Sequence, residues 1–405
     1  MRSTVRGVLA GGFAAIAAAV MPAAASETAN DGAATVVRAA VDLPADHPLV
    51  AEGWKAFAEA AEAESRGTLE FRVFVNGAVV GSARSLEGLS RGEVDMGFLA
   101  PASYPDSFPR ATFLTDLAMI GEDGVAAAAA MTELILLHCP ACRDEYREQN
   151  MVFLGTYSSA PYVLIAKNLL ADVESLKMRR VRTPGSLWDR WVRATGAFPA
   201  ANGMEPGEAL ESGAADAVVD TVLSLQDPKL WHAANAVVTV PLGAYRGASA
   251  FTVNRNYWAE LTDEQRAALL GAAPAGVVTT TLAYAQQAAY VLDVSRERGL
   301  DVREPEPSLR TAVDAFVNGD DMLASDAAIL TGGHEQAASI ADTYRALYGK
   351  YVALLEPLQA PAEKISVIGR EIYGKLDPAT FGREAEIELG TTAEPDDSVG
   401  GGVTN

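Results

Sequence analysis

Strand-like and helix-like segments alternate along the first quarter of the chain. Residues 36–41 and 68–75 carry the patterns of strands, and an amphipathic helical pattern over 49–64 separates them. A turn and a second helix follow, and residues 92–98 predict a third strand. Parallel strands need long crossover connections, so this β-α-β-α-β order predicts parallel pairing with right-handed crossovers. The sequence therefore predicts the α/β fold class.

The two ends of the chain differ in composition from the part between them. Residues 1–25 combine the positive charges of Arg2 and Arg6, an apolar run of small residues and an Ala-x-Ala pattern. This combination predicts a secretory signal peptide cut near Ser26, and hence a periplasmic protein. The alternative is a membrane anchor, but the apolar run is shorter than the roughly 20 residues that span a bilayer. Residues 384–405 are acidic and then glycine-rich, which predicts disorder.

The chain is strongly acidic. Its formal net charge is −21, and without Arg2 and Arg6 the balance becomes 30 basic against 53 acidic residues, or −23. Such a charge disfavours phosphate backbones and anionic lipids, so we expect neither nucleic acid as a partner nor direct membrane insertion. A small anionic ligand stays compatible with this charge, because one desolvated arginine sets the local field.

The two cysteines, Cys139 and Cys142, stand in the sequence His-Cys-Pro-Ala-Cys. Their spacing suits a redox-active dithiol or half of a metal site. However, the sequence has no second CxxC, its other histidines are scattered, and the segment before the pair lacks the strand-then-helix context of thioredoxins. In an exported protein we favour a small structural disulfide over a catalytic dithiol or free thiols. No metal and no cofactor is predicted.

The stretch 176–220 holds the best candidate for ligand recognition. A short strand leads to Arg182, Pro184-Gly185 turns the chain, and Ser186 is positioned to cap the helix that follows. A guanidinium beside a helix N-terminus favours a carboxylate, because it donates two parallel hydrogen bonds and the helix dipole adds positive potential. The alternative is that Arg182 is a surface arginine paired with an acid.

The segment LKMRRVRTPG at 176–185 resembles the LKGxKxRxPG signature of the solute-binding proteins of tripartite ATP-independent periplasmic (TRAP) transporters. Its distance to EALESGAAD at 208–216 fits the EvYtALqtGvvDG segment of that family. His47-Pro48, Gly81 and the glycines of 92–97 follow the order of the family's opening. The resemblance covers about residues 36–355, most of the chain after the predicted cleavage site.

The resemblance implies a two-lobe periplasmic-binding-protein fold, type II-like, with an interlobe cleft and a long bridging helix. Lobe I is expected at 36–155 plus about 246–278, and lobe II at 156–245 plus about 279–355. Residues 356–405 would form a partly disordered C-terminal extension. The bridging helix is expected to begin near Thr262, whose side chain forms a capping box with Gln265, and to be kinked or divided at Pro274.

The resemblance also identifies candidate ligand contacts. In the family, the arginine of the first motif binds the substrate carboxylate, and it corresponds to Arg182. Asp220 stands where the family usually carries an asparagine, and the segment that often holds a second arginine offers Tyr157 and Tyr162 instead. These departures favour a ligand with one carboxylate plus hydroxyl, aromatic or amino groups over a compact dicarboxylate.

Four weaker candidates complete the predicted cleft. They are Trp188, for which a core position is the alternative, and Tyr245, Ser103 and Asp42, which lie at strand ends or after the interlobe crossing.

The resemblance implies an extracytoplasmic solute-binding protein that captures an organic acid by hinge closure and delivers it to a TRAP-type membrane permease. A GxSxG elbow, a P-loop and a GxGxxG fingerprint are missing from the sequence, so we do not expect an enzyme. The acids between 205 and 216 are more typical of a solvated helix face than of acid–base catalysis. The alternative functions are an exported thiol-redox or metal-handling protein using Cys139 and Cys142, and an enzyme on the same scaffold.

Overall fold

The computed structural model describes residues 34–200, 203–319, 322, 330 and 333–383. The predicted signal peptide and the predicted disorder of 384–405 lie outside these residues. Within them, the strands form two separate sheets, and helices pack against both.

The first sheet contains five of the described strands, in the order β2-β1-β3-β10-β4. They are β1 (Thr35–Ala40), β2 (Leu69–Phe74), β3 (Met96–Leu99), β4 (Met151–Phe153) and β10 (Ser249–Asn254). Strand β1 pairs in parallel with both β2 and β3, which confirms the pairing that the alternating pattern predicts. Strand β10 returns from much later in the chain and inserts antiparallel between β3 and β4.

The second sheet contains six strands in the order β11-β9-β5-β8-β6-β7. They are β5 (Tyr162–Ala166), β6 (Arg180–Arg182), β7 (Phe198–Pro199), β8 (Ala217–Thr221), β9 (Ala236–Val238) and β11 (Asp301–Arg303). Strands β6 and β8 are parallel neighbours, and Arg182 lies in register with Val218. The ends of these two strands therefore lie side by side. The lobe boundaries predicted from the sequence stay a prediction.

Most of the helices are short. They are α1 (Lys55–Glu64), α2 (Ser85–Ser90), α3 (Pro109–Leu114), α4 (Gly124–Glu133), α5 (Pro140–Glu148), α6 (Val173–Leu176), α7 (Ser186–Ala194), α8 (Pro206–Glu211), α9 (Pro228–Ala233), α10 (Arg255–Glu260), α11 (Asp263–Glu297), α12 (Pro307–Val317), α13 (Gly333–Leu355) and α14 (Pro361–Glu371). A π-helical segment, Leu49–Trp54, leads into α1, and another, Leu134–His138, extends α4.

Helix α11 is the central packing element. Thr262 caps it, and Gln265 completes the capping box, as the sequence predicts. The predicted division at Pro274 is wrong, because the helix runs without a break over 35 residues. Packing against α1, α4 and α14 holds the helix in place where Pro274 removes a backbone hydrogen bond. By length and hydropathy α11 could cross a membrane, but 67% of its most apolar stretch is buried inside the fold.

Two other local predictions are corrected by the structure. Gly185, and not Ser186, occupies the N-cap position of α7, so Ser186 is the first helical residue. Tyr290, predicted to belong to the core face of the long helix, is 68% exposed, whereas Tyr284 and Val291 of the same face are buried. The face turns outward near the C-terminal end of α11, where less of the fold covers the helix.

Two extended segments cross between the sheets side by side. The amide of Ser159 donates to the carbonyl of Tyr245, and the amide of Tyr245 donates to the hydroxyl of Ser159, both at 3.0 Å. The amide of Tyr162 donates to the carbonyl of Gly243 at 2.8 Å. Beside them Arg246, which is 2% exposed, donates to the carbonyls of Ala118, Ile120 and Gly121. The crossing is therefore a hydrogen-bonded ribbon anchored by a buried guanidinium.

Helix α4 ends at a buried polar cluster that ties the C-terminal helices to it. The Glu133 carboxylate, 3% exposed, accepts hydrogen bonds from Lys350 at 2.6 Å and from the Tyr351 hydroxyl at 2.5 Å. His138 lies 3.3 Å from the same carboxylate. Burial alone would raise the pKa of Glu133, but the hydrogen bonds from Lys350, Tyr351 and His138 outweigh it and lower the pKa. The carboxylate is therefore charged at neutral pH and joins α4 to α13.

Cys139 and Cys142 are joined by a disulfide at the start of α5. Cys139 is 7% exposed and Cys142 is fully buried. The bond closes the sharp turn between the π-helical end of α4 and α5, which meet at an angle of 82°. Its position thus matches a structural clasp between two helices.

Candidate functional site

A cavity of about 470 Å³ lies between the loop after β1, the crossing ribbon, helix α11 and the strand ends of the second sheet. Its lining is formed by Pro44, Asp46, His47, Pro48, Tyr157, Ser159, Tyr162, Thr221, Leu223, Ser224, Gln226, Tyr245, Tyr284 and Gln287. The volume is within the range of small-molecule sites, and tyrosines supply much of the wall. Both sheets contribute to it, so a change in their relative position would change its shape.

Arg182 and Asp220 form an ion pair at the adjacent strand ends. The guanidinium Nη1 lies 3.5 Å from the Asp220 carboxylate, and Nε donates to the carbonyl of Met204 at 3.3 Å. The two side chains are 21% and 18% exposed. At 3.5 Å the contact is longer than a good charge-assisted hydrogen bond, which leaves guanidinium donors for another acceptor. The alternative raised from the sequence, an acid paired with Arg182, therefore describes the observed geometry.

The Asp220 carboxyl is held at the end of β8 by its own neighbours. The amide of Thr221 donates to it at 2.7 Å. Burial raises the pKa of Asp220, although hydrogen bonds from Ser224 and Thr221 and the charge of Arg182 oppose this shift. Because the charged form is incompletely compensated, a ligand that brings a hydrogen-bond donor or a positive charge would stabilise it.

The aromatic wall of the cavity is built from stacked pairs. The rings of Tyr157 and Tyr284 lie parallel with centroids 5.5 Å apart. The Tyr284 hydroxyl lies 2.9 Å from Nε2 of His47. Burial lowers the pKa of His47, only partly offset by Asp46 and Asp42, so its imidazole is neutral at neutral pH. The wall therefore offers flat apolar surface with a few polar edges, which suits a ring or a short apolar chain.

The predicted site residues occupy different places around this cavity. Tyr157, Tyr162 and Tyr245 line it. Arg182 and Asp220 lie next to it, close enough that both influence the pKa of Tyr162, which burial and Asp220 raise and Arg182 lowers.

Three further candidates stand apart from the lining. Trp188 is buried behind Tyr162, with ring centroids 4.6 Å apart, and its Nε1 donates to the Leu242 carbonyl at 2.9 Å. Asp42 is half-buried, and its Oδ1 has no hydrogen-bond partner within the described part of the chain. Ser103 is exposed in a short helical turn, Pro101–Ser103, after β3.

Several lining residues escaped the sequence prediction. His47 was used for the family resemblance but not as a contact, and Tyr284 was assigned to the core. Tyr284 is both, since it is 7% exposed and still borders the cavity. A histidine and a tyrosine 237 residues apart carry no local signal of their contact.

The Cys139–Cys142 pair offers little to the alternative redox or metal function. Both sulfurs are bonded and buried, whereas reactive cysteines are accessible. Within residues 34–383, as far as they are described, no group of three or more histidine, cysteine or acidic side chains is arranged to hold a metal ion.

Family models and solved structures match this arrangement. The model of the bacterial extracellular solute-binding protein family 7, DctP, matches residues 40–318. The chain belongs to the DctP family. No curated protein matches it significantly.

Solved relatives of this DctP protein have the same two-lobe fold. A TRAP periplasmic solute-binding protein from Desulfovibrio salexigens, in an open complex, superposes with a TM-score of 0.67 and 18% identity over 80% of this chain and 98% of its own. One from Bordetella bronchiseptica with bound (R)- and (S)-mandelate gives 0.61 and 21% over 78% and 99%. A marine metagenome protein in complex with co-purified pyroglutamate gives 0.58 and 17% over 77% and 99%. The architecture is thus that of a TRAP solute-binding protein.

Proposed function

We propose that this DctP protein is a periplasmic receptor that captures one organic acid in the cavity and delivers it to a TRAP-type membrane permease. The observation that carries the proposal is the Arg182–Asp220 pair at the rim of a 470 Å³ tyrosine-lined cavity. Arg182 would hold the ligand carboxylate through two parallel hydrogen bonds. The contact with Asp220 is long enough for the guanidinium to turn toward a ligand.

Asp220 narrows the substrate class. A ligand carboxylate approaching Arg182 also approaches the carboxylate of Asp220, which repels it unless the ligand carries a donor. An ammonium, a ring N–H or a hydroxyl next to the ligand carboxylate would remove this repulsion. Mandelate and pyroglutamate, found in relatives, each combine a carboxylate with a ring and a donor. We therefore favour a hydroxy or amino acid with a flat or cyclic body over a plain dicarboxylate.

Capture would proceed by closure of the two sheets about the crossing ribbon. The loop that carries Asp46 and His47 follows β1 of the first sheet, and Tyr162 and Ser224 belong to the second. Rotation about the ribbon would bring these walls together and remove the ligand from water. Only the closed form would present a surface made of both lobes to the permease, which would couple ligand capture to delivery.

A ligand screen on the chain from Ser26 onward tests this function. Protein that has been unfolded and refolded to remove any copurified molecule would be titrated with hydroxy acids, amino acids, cyclic acids and dicarboxylates. A ligand at a hundred times its Kd stabilises the folded state by about 2.7 kcal/mol, which a thermal-shift measurement detects. Binding of a carboxylate that bears a donor supports the proposal. Tight succinate binding with no affinity for any hydroxy or amino acid would overturn the substrate class.

A further inference from the structure

The outer edge of the first sheet lies beside an arginine-lined groove. Strand β4 is the last strand of this sheet and has one strand neighbour, β10, among the described residues. All three residues of β4, Met151–Phe153, border the groove, together with Arg143 and Arg147 of α5 and Arg255 of α10. The groove encloses about 40 Å³, far below the roughly 300 Å³ of small-molecule sites. It therefore suits a chain segment lying along it better than a small ligand.

The described chain ends at the mouth of this groove, and the approach to that end is firmly anchored. The Trp258 Nε1 donates to the carbonyl of Phe381 at 2.7 Å, and Arg266 donates to the carbonyl of Pro378 at 2.8 Å. Arg255 donates to the carbonyl of Gly382 at 3.3 Å. A Cβ placed on Gly382 would lie 3.1 Å from the Val152 side chain. The next residues of the chain thus start within one or two residue lengths of β4.

The sequence that follows has the pattern of an amphipathic strand. Residues 384–389 read Glu-Ala-Glu-Ile-Glu-Leu, a strict alternation of acidic and apolar side chains. In a strand, alternate side chains point to opposite faces, so the three glutamates would share one face and Ala385, Ile387 and Leu389 the other. Three negative charges would then meet the three arginines of the groove, and apolar side chains would lie on the sheet side.

From the anchored exit point, the alternating pattern and the matching charges, we infer that residues 384–389 dock in the groove as an added strand beside β4 of the same molecule. The strand would hydrogen-bond to the outer edge of β4 and close it. An uncovered edge strand is a template for pairing with other chains, and covering it prevents such pairing. The tail, predicted to be disordered from its composition, would then be ordered over its first six residues.

Amide hydrogen exchange followed by mass spectrometry on the full chain tests the added strand. Residues 385–389 should exchange at least about tenfold more slowly than residues 391–398. A chain truncated after Arg383 should exchange faster at Met151–Phe153. The triple variant Glu384→Lys, Glu386→Lys, Glu388→Lys should show the same loss of protection, because it places lysines against the arginines.

The matched control is Glu394→Lys, Asp396→Lys, Asp397→Lys, which changes the net charge equally but lies beyond the alternating segment. It should leave the exchange of both segments unchanged. Equal exchange rates of 385–389 and 391–398 in the full chain would overturn the inference. So would protection that survives the first triple variant, or protection that disappears on dilution together with a dimer in light scattering, since the occupant would then be a second copy.

Discussion

The carboxylate of Asp220 lies 3.5 Å from the guanidinium of Arg182, at the ends of two neighbouring parallel strands. Neither side chain is fully buried, and both reach the rim of the tyrosine-lined cavity. A receptor for anions that keeps a carboxylate beside its arginine reduces its own affinity for simple anions. The pair therefore acts on selectivity as well as on affinity, and the two residues make separable predictions.

Replacing Arg182 by Ala should weaken binding of the ligand found in the screen by about 2–5 kcal/mol, because the ligand carboxylate loses its cation and Asp220 is left unpaired. Titration calorimetry measures the change. The control is Arg180→Ala on the same strand, which removes an exposed arginine that pairs with Asp216. Both proteins should unfold cooperatively. Unchanged affinity in the Arg182 variant would remove this residue from the ligand site.

Replacing Asp220 by Asn should reverse the order of preference among ligands. The amide keeps the shape of the side chain but removes the negative charge, so simple monocarboxylates should bind more tightly by roughly tenfold. Amino acids should bind more weakly by about 1.5–3 kcal/mol, because they lose a charged acceptor. The measurement is the ratio of Kd values for a matched pair of acids with and without the donor. An unchanged ratio would show that Asp220 does not contact the ligand.

Replacing Glu133 by Gln should destabilise the protein by about 3 kcal/mol at neutral pH, because Lys350 is left without its buried acceptor. The folded pKa of Glu133 is lowered, so its stabilisation is complete above the unfolded value of about 4.3 and is lost as the pH falls through the folded pKa. Urea unfolding should therefore show a large difference between wild type and variant at neutral pH.

The same difference should shrink as the pH falls below about 4, where the wild-type carboxylate becomes protonated. Glu356→Gln, an exposed acid just beyond α13, is the control and should change the free energy of unfolding by less than about 0.5 kcal/mol at either pH. A difference for Glu133→Gln that stays constant with pH would contradict the charged role of this carboxylate.

The unreduced protein should contain no titratable thiol, since both cysteines are bonded. Replacing Cys139 and Cys142 together by Ser should destabilise the fold by about 2 kcal/mol, the loop-closure value for so short a ring. Ligand affinity should not change, because the disulfide does not border the cavity. Loss of binding in a variant that stays folded would reopen the thiol-based function.

The sequence predicted the local features of the fold well. The capping box of Thr262 and Gln265 and the parallel pairing of β1 with β2 and β3 were predicted from short patterns, and both are confirmed. Such features depend on residues that are close in sequence, or on the spacing of strands and helices. The continuous helix through Pro274 was not predicted, because packing against distant helices decided it.

The candidate site was only partly accessible to sequence reasoning. Arg182 was found through its motif and Tyr157 through a departure from the family pattern. The contact of His47 with Tyr284 and the cluster around Glu133 join residues more than 200 positions apart. One sequence holds no record of such contacts. The same limit explains why Tyr284 was predicted as core alone, since burial and cavity lining look identical in a helical pattern.

Strand β10 sits between β3 and β4 but follows β4 by almost a hundred residues of chain. An N-terminal fragment that stops before residue 249 lacks the strand that joins these two neighbours, so it cannot form the first sheet. An exported chain emerging N-terminus first must hold Met96–Leu99 and Met151–Phe153 unpaired with each other while the whole second sheet except β11 is delivered. The order of secretion thus makes this receptor dependent on chaperones or on rapid translocation before its first lobe can close.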